Sequence, residues 1–336
     1  MKLKKFINDP KKVVDEMLEG FLSAHSDIIK KLPTSRVIVR KDALIKNKVG
    51  LVAGGGSGHK PAFIGYVGEG LMDAAAVGEI FSSPSARQIY NAIKSVNSDK
   101  GVLCILGNYS GDVMNFDIAS DMAKEEEISV EQVIINDDVG SGSKEQMENR
   151  RGVAGEVIVW KAVGAKSQEG ANLEEVKKVA EKVNSNTRSM GVAHSPCAVP
   201  SLPYGGEPTF TLGENEMEIG VGHHGEPGVK RTQMKSADDI TEILMEKILE
   251  DLPFKENDEV SVLIDGLGST PLLELYIIYR KVTQILRQRK IKIYKSYIGE
   301  FFTSLEMGGF SITLTKLDEE LKRLLDAPAR APLFVQ

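Results

Sequence analysis

An apolar strand pattern at Val49-Gly50-Leu51-Val52-Ala53 runs into Gly54-Gly55-Gly56-Ser57-Gly58-His59-Lys60-Pro61. Glycine carries no Cβ, so such a loop lets the backbone come close to a small polar ligand and offers it amide donors. His59 closes the loop with an imidazole, the side chain best suited to give or take a proton near neutral pH. The plain alternative is a tight turn in which Pro61 opens a helix. A second candidate is Asn108-Tyr109-Ser110-Gly111-Asp112, after a strand ending at Leu106. Asp112 at a strand end, beside a loop holding His59, would make an acid/base pair. An Asp after a Gly is equally an ordinary helix cap. A third is Gly220-Val221-Gly222-His223-His224-Gly225-Glu226-Pro227-Gly228. A neutral imidazole in a glycine-rich loop can act as a nucleophile toward a carbonyl or as a metal ligand.

Three other chemistries are weaker on these residues. A metal site would recruit His194 and Cys197 beside His223 and His224, but no HExxH, CxxC or carboxylate–histidine pattern accompanies them. A Ser–His–Asp hydrolase lacks its Gly-x-Ser-x-Gly strand–turn–helix. A Walker A loop needs Gly-Lys-Ser/Thr, whereas Lys60 follows His59 and precedes Pro61; the dinucleotide fingerprint fails where His59 stands in place of its last glycine. The chain offers no recognisable nucleotide cradle.

The elements that must position these residues read as α/β. Strands are expected over 49–53, 101–106 and 130–136, with helices over 85–96 and 116–127 between or after them. Strands alternating with helices of this length predict a parallel sheet, whose ligands sit beyond the carboxyl ends of the strands. After a helix over 173–183 and an irregular Pro/Gly-rich tract over 193–228, a second α/β pattern follows. It comprises helices over 240–252 and 272–287 and strands over 260–265, 292–298 and 309–314. The reading is two α/β domains, 1–188 with the glycine-rich loop and 189–336 with His224, each with a largely parallel central sheet flanked by helices.

At 336 residues the chain has room for two such domains, and 41% hydrophobic with 27% charged residues is a globular composition. A net charge of −6 argues against a broad nucleic-acid surface. Cys104 and Cys197 cannot build a disulfide framework and suit a reducing compartment. Asn8, Asp9 and Pro10 interrupt any signal core behind Met1-Lys2-Leu3-Lys4-Lys5-Phe6, and no apolar run reaches the ~18 residues of a membrane helix. A cytoplasmic protein is expected.

Taken together, these segments resemble the dihydroxyacetone-binding subunits of dihydroxyacetone kinases over essentially the whole chain. The resemblance is carried by residues 54–61, by Gly78-Glu79-Ile80-Phe81-Ser82-Ser83-Pro84, by 108–112, and by Asn136-Asp137-Asp138-Val139. It continues through Arg150-Arg151-Gly152-Val153-Ala154-Gly155, Asn215-Glu216-Met217-Glu218, and residues 222–228, 267–276 and 303–314. It implies that His224 attacks the ketone carbon of dihydroxyacetone and holds it as a hemiaminal. A carbonyl-specific bond would tell this substrate from glycerol, which has no carbonyl. By the same resemblance His59 binds the substrate and moves a proton, Asp112 is the base for the hydroxyl that is phosphorylated, and Gly56, Ser57, Gly58 and Ser83 line the pocket. It implies no cofactor on this chain; a nucleotide, ADP or ATP, sits on a partner subunit that delivers the phosphoryl group, in some systems recharged from phosphoenolpyruvate. Single-chain relatives carry a further nucleotide domain, for which no residues remain after Gln336. A homodimer is expected. Two positions depart from the family pattern. Gly107 stands where the family commonly has lysine, and Lys60 where it usually has glutamate. Paralogues that bind dihydroxyacetone yet act as co-activators of a transcriptional regulator make a ligand sensor the alternative.

Overall fold

The computed structural model describes residues 3–201 and 205–336; Met1 and Lys2 of the amino-terminal stretch, and 202–204 of the tract expected to be irregular, lie outside the described residues. The chain forms two compact units, neither continuous in sequence. The first comprises Ile7–Ile135, Glu156–Lys182 and Arg323–Gln336; the second comprises Met1–Phe6, Asn136–Gly155 and Val183–Lys322. A single division after residue 188 differs from this, although it falls near the passage at Lys182–Val183. Both units carry helix-flanked sheets, so the α/β class is as expected.

The sheet of the first unit has strands β1 (Ile29–Lys31), β2 (Val37–Arg40), β3 (Gly50–Ser57), β4 (Ala74–Ile80), β5 (Val102–Gly107) and β6 (Val130–Ile135), in the order β1-β2-β4-β3-β5-β6. The central pairs β4–β3, β3–β5 and β5–β6 are parallel. Helix α1 (Val13–Ala24) precedes the sheet, α2 (Ala86–Val96) crosses from β4 to β5, and α3 (Ser110–Lys124) from β5 to β6. Ser85 caps α2 in a capping box: its Oγ accepts from the Gln88 N–H while Gln88 Oε1 accepts from the Ser85 N–H at 2.8 Å. Ile89 and Ile93 of α2, Phe116 of α3, and Val52, Cys104 and Leu106 of the strands form one buried core. Strand order reverses about β3, because β4 lies on one side of it and β5 on the other. Such a reversal opens a crevice beyond the carboxyl ends of the strands.

The second unit is built on β7 (Thr187–Ser195), β8 (Glu216–Ile219), β9 (Lys230–Gln233), β10 (Glu259–Gly266), β11 (Lys292–Gly299) and β12 (Gly308–Leu317), in the order β9-β8-β7-β12-β10-β11. Here only β10–β11 is parallel; the other pairs are antiparallel. The largely parallel pairing expected of both sheets therefore holds in the first and not in the second. The reason is connection length. A parallel return needs a crossover of a dozen or more residues, which residues 267–291 supply between β10 and β11. Residues 300–307 between β11 and β12 are too few, so β12 runs back beside β10. Two of the unit's helices, numbered α6 (Ala237–Asp251) and α7 (Leu272–Gln288), pack Leu244, Ile248, Leu275 and Val282 against Val260, Val262 and Ile264 of β10.

Helices α4 (Gly155–Gln168), α5 (Leu173–Ser185) and α8 (Glu319–Asp326) complete the set of α-helices among the described residues. The sequence patterns miss α4 because Val157, Ile158, Val159, Trp160, Ala162 and Val163 are all buried, which leaves no polar face to set a period. They miss β4 because Ala74-Ala75-Ala76 has weak strand preference and is placed by burial alone. The tract expected to be irregular holds the end of β7 and short strands at Ala198–Ser201, Gly205–Pro208 and β8. Among the described residues no helix is long and apolar enough to cross a membrane.

One buried carboxyl in the second unit sets a stability prediction. Asp265, at the end of β10, is fully buried; Oδ1 accepts from the Phe301 and Phe302 N–H groups, and Oδ2 makes no hydrogen bond among the described residues. Burial raises its pKa well above the usual carboxylate value, against the pull of those two N–H groups. A carboxyl raised in the folded state stabilises at low pH and loses that contribution as pH rises through its folded pKa. Asp265→Asn keeps the shape and the Oδ1 acceptor and removes the charge. It should raise the melting temperature at neutral pH by ~2 °C or more, the shift given by about 1 kcal/mol at this size. The gain should shrink toward pH 4. Thermal scans across pH test this; a gain independent of pH would contradict it.

Candidate functional site

The sequence-predicted residues fall into two groups, one in each unit. In the first unit, His59, Ser83 and Asp112 follow the carboxyl ends of β3, β4 and β5, the strands around the reversal. Their loops are interlocked. The Ser57 hydroxyl donates to the Gly78 carbonyl at 2.9 Å and the Phe81 N–H to the Ser57 carbonyl at 2.9 Å. The His59 ring stacks on Phe81 with centroids 5.1 Å apart, and Asn115 Nδ2 donates to the Pro84 carbonyl at 2.9 Å. A Cβ on Gly111 would stand 2.7 Å from Ser83 Oγ, and one on Gly56 2.8 Å from the Ser82 nitrogen. The loop glycines thus serve close approach of chain to chain as much as reach toward a ligand. Within this loop only Gly58 needs glycine for its backbone, at φ 115°.

Asp112 is buried in the first turn of α3, two residues beyond Ser110, and the helix boundary residue is Tyr109. It is therefore not the cap that its Gly-Asp setting allows. Its carboxylate lies instead where the helix dipole favours negative charge. Lys60, half-buried, donates from Nζ to the Ala62 carbonyl at 3.1 Å, and desolvation lowers it to about 8.

Gly107 ends β5 with no room for a side chain. A Cβ there would sit 2.6 Å from Oε1 of Glu156, a buried residue in the first turn of α4, and 3.3 Å from the Tyr109 ring. In this chain the Glu156 carboxylate fills the space a residue-107 side chain would take. Gly107→Lys should therefore destabilise by about 1–3 kcal/mol through overpacking, read as a lower melting temperature. Glu156→Ala in the same chain should recover part of the loss. A single variant as stable as the parent would show that Glu156 swings aside freely.

The second unit holds the other group. The chain leaves β8 at Ile219 and returns at Lys230, pinned by Gly220 N–H to the Gly191 carbonyl at 2.7 Å and Val229 N–H to the Ile219 carbonyl at 2.8 Å. The two adjacent histidines have opposite surroundings. His223 is buried, its ring stacked on Phe302 with centroids 4.8 Å apart, and burial lowers it to about 3, so it stays neutral. His224 keeps a quarter of its side chain accessible. Its Nδ1 lies 2.8 Å from Glu226 Oε1, and its backbone N–H donates to Glu226 Oε2 at 2.9 Å. Burial opposes charge on Glu226, but the hydrogen bonds it accepts from the ring and backbone of His224 prevail and hold the carboxyl at about 2.

Glu226 is a site residue the sequence reading missed. The sequence reading found no carboxylate–histidine pattern beside these histidines, whereas this pair is two residues apart across Gly225, whose φ of 84° turns the chain back on itself. Gly222 completes the fold-back: a Cβ on it would fall 2.2 Å from Glu226 Oε2 and 2.3 Å from an Arg151 guanidinium nitrogen. Arg151 bonds Asp138 Oδ2 at 2.9 Å and the Gly220 carbonyl at 2.9 Å, and lies 4.0 Å from Glu226. The Arg-Arg-Gly and Asn-Asp-Asp segments therefore hold the histidine loop. Asp137 ties these two segments to each other, accepting from the Val153 and Gly155 N–H groups at 2.8 and 2.9 Å.

The metal alternative has no geometry behind it. Cys197 is buried, with Thr209 Oγ1 at 3.2 Å and the Ser304 hydroxyl at 3.4 Å from its sulfur. His194 is exposed and lines a largely apolar cavity of about 160 Å³ with Met217, Met234 and Phe310. Among the described residues, no three His, Cys, Asp or Glu side chains are grouped to hold a metal ion.

The chain is similar to known proteins over nearly all of its length. The Dak1 domain family model matches residues 19–333. A PTS-dependent dihydroxyacetone kinase dihydroxyacetone-binding subunit of Listeria innocua is 45% identical over 99% of this chain and 99% of its own length. The crystal structure of a dihydroxyacetone kinase of C. freundii superposes with a TM-score of 0.89 at 31% identity, covering 98% of this chain and 60% of that one. A dihydroxyacetone kinase operon co-activator does so with the same TM-score and identity, over 96% of this chain and 98% of that one.

Proposed function

The chain belongs to the Dak1 family, and from that membership we propose that it is the dihydroxyacetone-binding subunit of a multi-component dihydroxyacetone kinase. In this reading His224 takes the ketone as a hemiaminal. A partner subunit carrying the nucleotide, ADP or ATP, supplies the phosphoryl group, and the product is dihydroxyacetone phosphate. His59 moves a proton, and Asp112 draws the proton from the attacking hydroxyl. Gly56, Ser57, Gly58 and Ser83 line the substrate's path. The chain acts as a cytoplasmic homodimer.

The observation that carries the reading is the environment of His224. A carboxylate can only accept a hydrogen bond, so Glu226 at 2.8 Å from Nδ1 fixes the ring proton there. That leaves the Nε2 lone pair for a carbonyl carbon. The first-unit loops support the second half of the reaction, because phosphoryl transfer asks mainly for a positioned hydroxyl, a base and electrostatics. The test is a coupled assay of dihydroxyacetone phosphorylation by this chain mixed with a nucleotide-loaded donor subunit from the same source. Turnover supports the kinase; saturable binding of dihydroxyacetone without turnover removes it.

Gly107 favours a second reading. Its lack of a side chain leaves the position without the positive charge that a lysine would bring, and Glu156 fills that space. A ligand sensor needs the capturing histidine and not the charge, and a co-activator is among the proteins of similar fold. Binding without turnover in the same assay would select it.

A further inference from the structure

The geometry points to Glu226 as the positioning residue of the nucleophile, fixing the reactive tautomer of His224 and balancing the charge that the imidazole gains on addition. The inference rests on the proposed capture of a ketone by His224, yet its first observable exists without any ligand.

Three features of the loop converge on it. Glu226 meets His224 twice, at the ring through Oε1 (2.8 Å) and at the backbone N–H through Oε2 (2.9 Å), so the carboxylate plane and the imidazole are fixed to each other. The turn that allows this depends on Gly225 at φ 84°, and the Gly225 N–H donates to the Gly222 carbonyl at 3.0 Å. Gly222 is required for a different reason, since any side chain there would strike the ends of Glu226 and Arg151. Arg151 faces the same carboxylate from 4.0 Å and is itself held by Asp138, so Glu226 stays ionised and cannot turn away from the histidine.

The chemistry follows from this arrangement. Nε2 uses its lone pair to form the C–N bond, the carbonyl π pair moves onto oxygen, and that oxygen takes up one proton from solvent, which regains one when Nδ1 is later deprotonated. The ring, now substituted at Nε2, carries a positive charge until Nδ1 releases its proton. A fixed anion against Nδ1 stabilises that charge as it develops. It also keeps Nε2 unprotonated at the start, the task the buried Asp performs for His in the Ser–His–Asp arrangement.

Glu226→Gln separates positioning from bulk, because the amide can donate to Nδ1 and drive the ring proton onto Nε2. Two readouts are needed. Long-range ¹H–¹⁵N correlation of the free protein reports which His224 nitrogen carries the proton. ¹³C NMR with dihydroxyacetone labelled at its carbonyl carbon reports the tetrahedral adduct, with His224→Ala as the blank. The parent should show the Nδ1–H form and the adduct. Glu226→Gln should lose the single Nδ1–H form and weaken capture by about 100-fold or more, below the ~10⁴-fold cost of the reversed tautomer in the serine hydrolase case. Gly222→Ala should do the same while keeping the charge, by displacing the carboxylate. It guards against a glutamine variant that fails to fold. An unchanged Nδ1–H signal in both variants, or capture within twofold of the parent, overturns the inference. A parent that shows the Nδ1–H form lost in Glu226→Gln but never forms an adduct leaves the tautomer assignment standing, and overturns the proposed capture instead.

Discussion

Asp112→Asn is expected to leave dihydroxyacetone capture within about twofold of the parent and to lower phosphorylation by 100-fold or more. General base catalysis contributes about 10²–10⁴-fold, and an amide cannot take a proton. Asp112 sits in the first turn of α3 and is not the helix boundary residue, so losing its charge removes a favourable helix-dipole contribution of about 0.3–1 kcal/mol. The neighbouring loops are held by bonds that do not involve its side chain, from Ser57 to Gly78 and from Asn115 to Pro84. The coupled assay and the ¹³C signal together decide it. Turnover within tenfold of the parent would remove Asp112 from the role of base. Loss of capture along with turnover would make it a ligand-positioning group.

Where that residue stands was largely legible in the sequence, because both the strand ends and the turn residues announce themselves. The run 49–53 is apolar, a buried parallel strand has no polar face, and a glycine-rich end is where such a strand opens toward a ligand. The position of Ser83 was less accessible to pattern, since the strand before it is mostly alanine and acquires its place from burial. The discontinuous make-up of the two units was not legible at all. Chain passages at Ile135, Gly155 and Lys182 fall next to or inside regular elements, with no Pro/Gly/Ser linker to mark them. The mixed pairing of the second sheet could have been inferred from the short connection over 300–307, a signal that the strand patterns themselves do not carry.

The histidine loop shows the limit in another form. Two adjacent histidines in one glycine-rich segment are equivalent by composition, and only packing separates them. His223 is spent on Phe302 and His224 on Glu226. The Glu226 partner is not legible from residue order because the contact is made by one glycine at positive φ. Local backbone conformation of this kind is a property of the folded loop, whereas residue order alone permits many loops.

That contrast fixes the second large effect. His224→Ala is expected to abolish the tetrahedral adduct and to weaken dihydroxyacetone binding by at least two to three orders of magnitude. A ligand of so few heavy atoms, each polar or next to a polar atom, gains little from non-covalent contact. At the ~0.3 kcal/mol per atom typical of larger ligands it would bind only in the tens of millimolar or weaker. Tight capture therefore needs the C–N bond, and with that bond goes discrimination against glycerol, which should compete no better or worse than dihydroxyacetone in the variant. His223→Ala is the informative control. It empties a buried, stacked position and should cost about 2 kcal/mol or more of stability, while any protein that remains folded still forms the adduct. If His224→Ala kept the adduct, the nucleophile would have to be sought elsewhere, and His223, enclosed against Phe302, would be a poor place to look. If His223→Ala lost the adduct while folded, the neutral ring beside the nucleophile would have a part in the chemistry that its packing does not suggest.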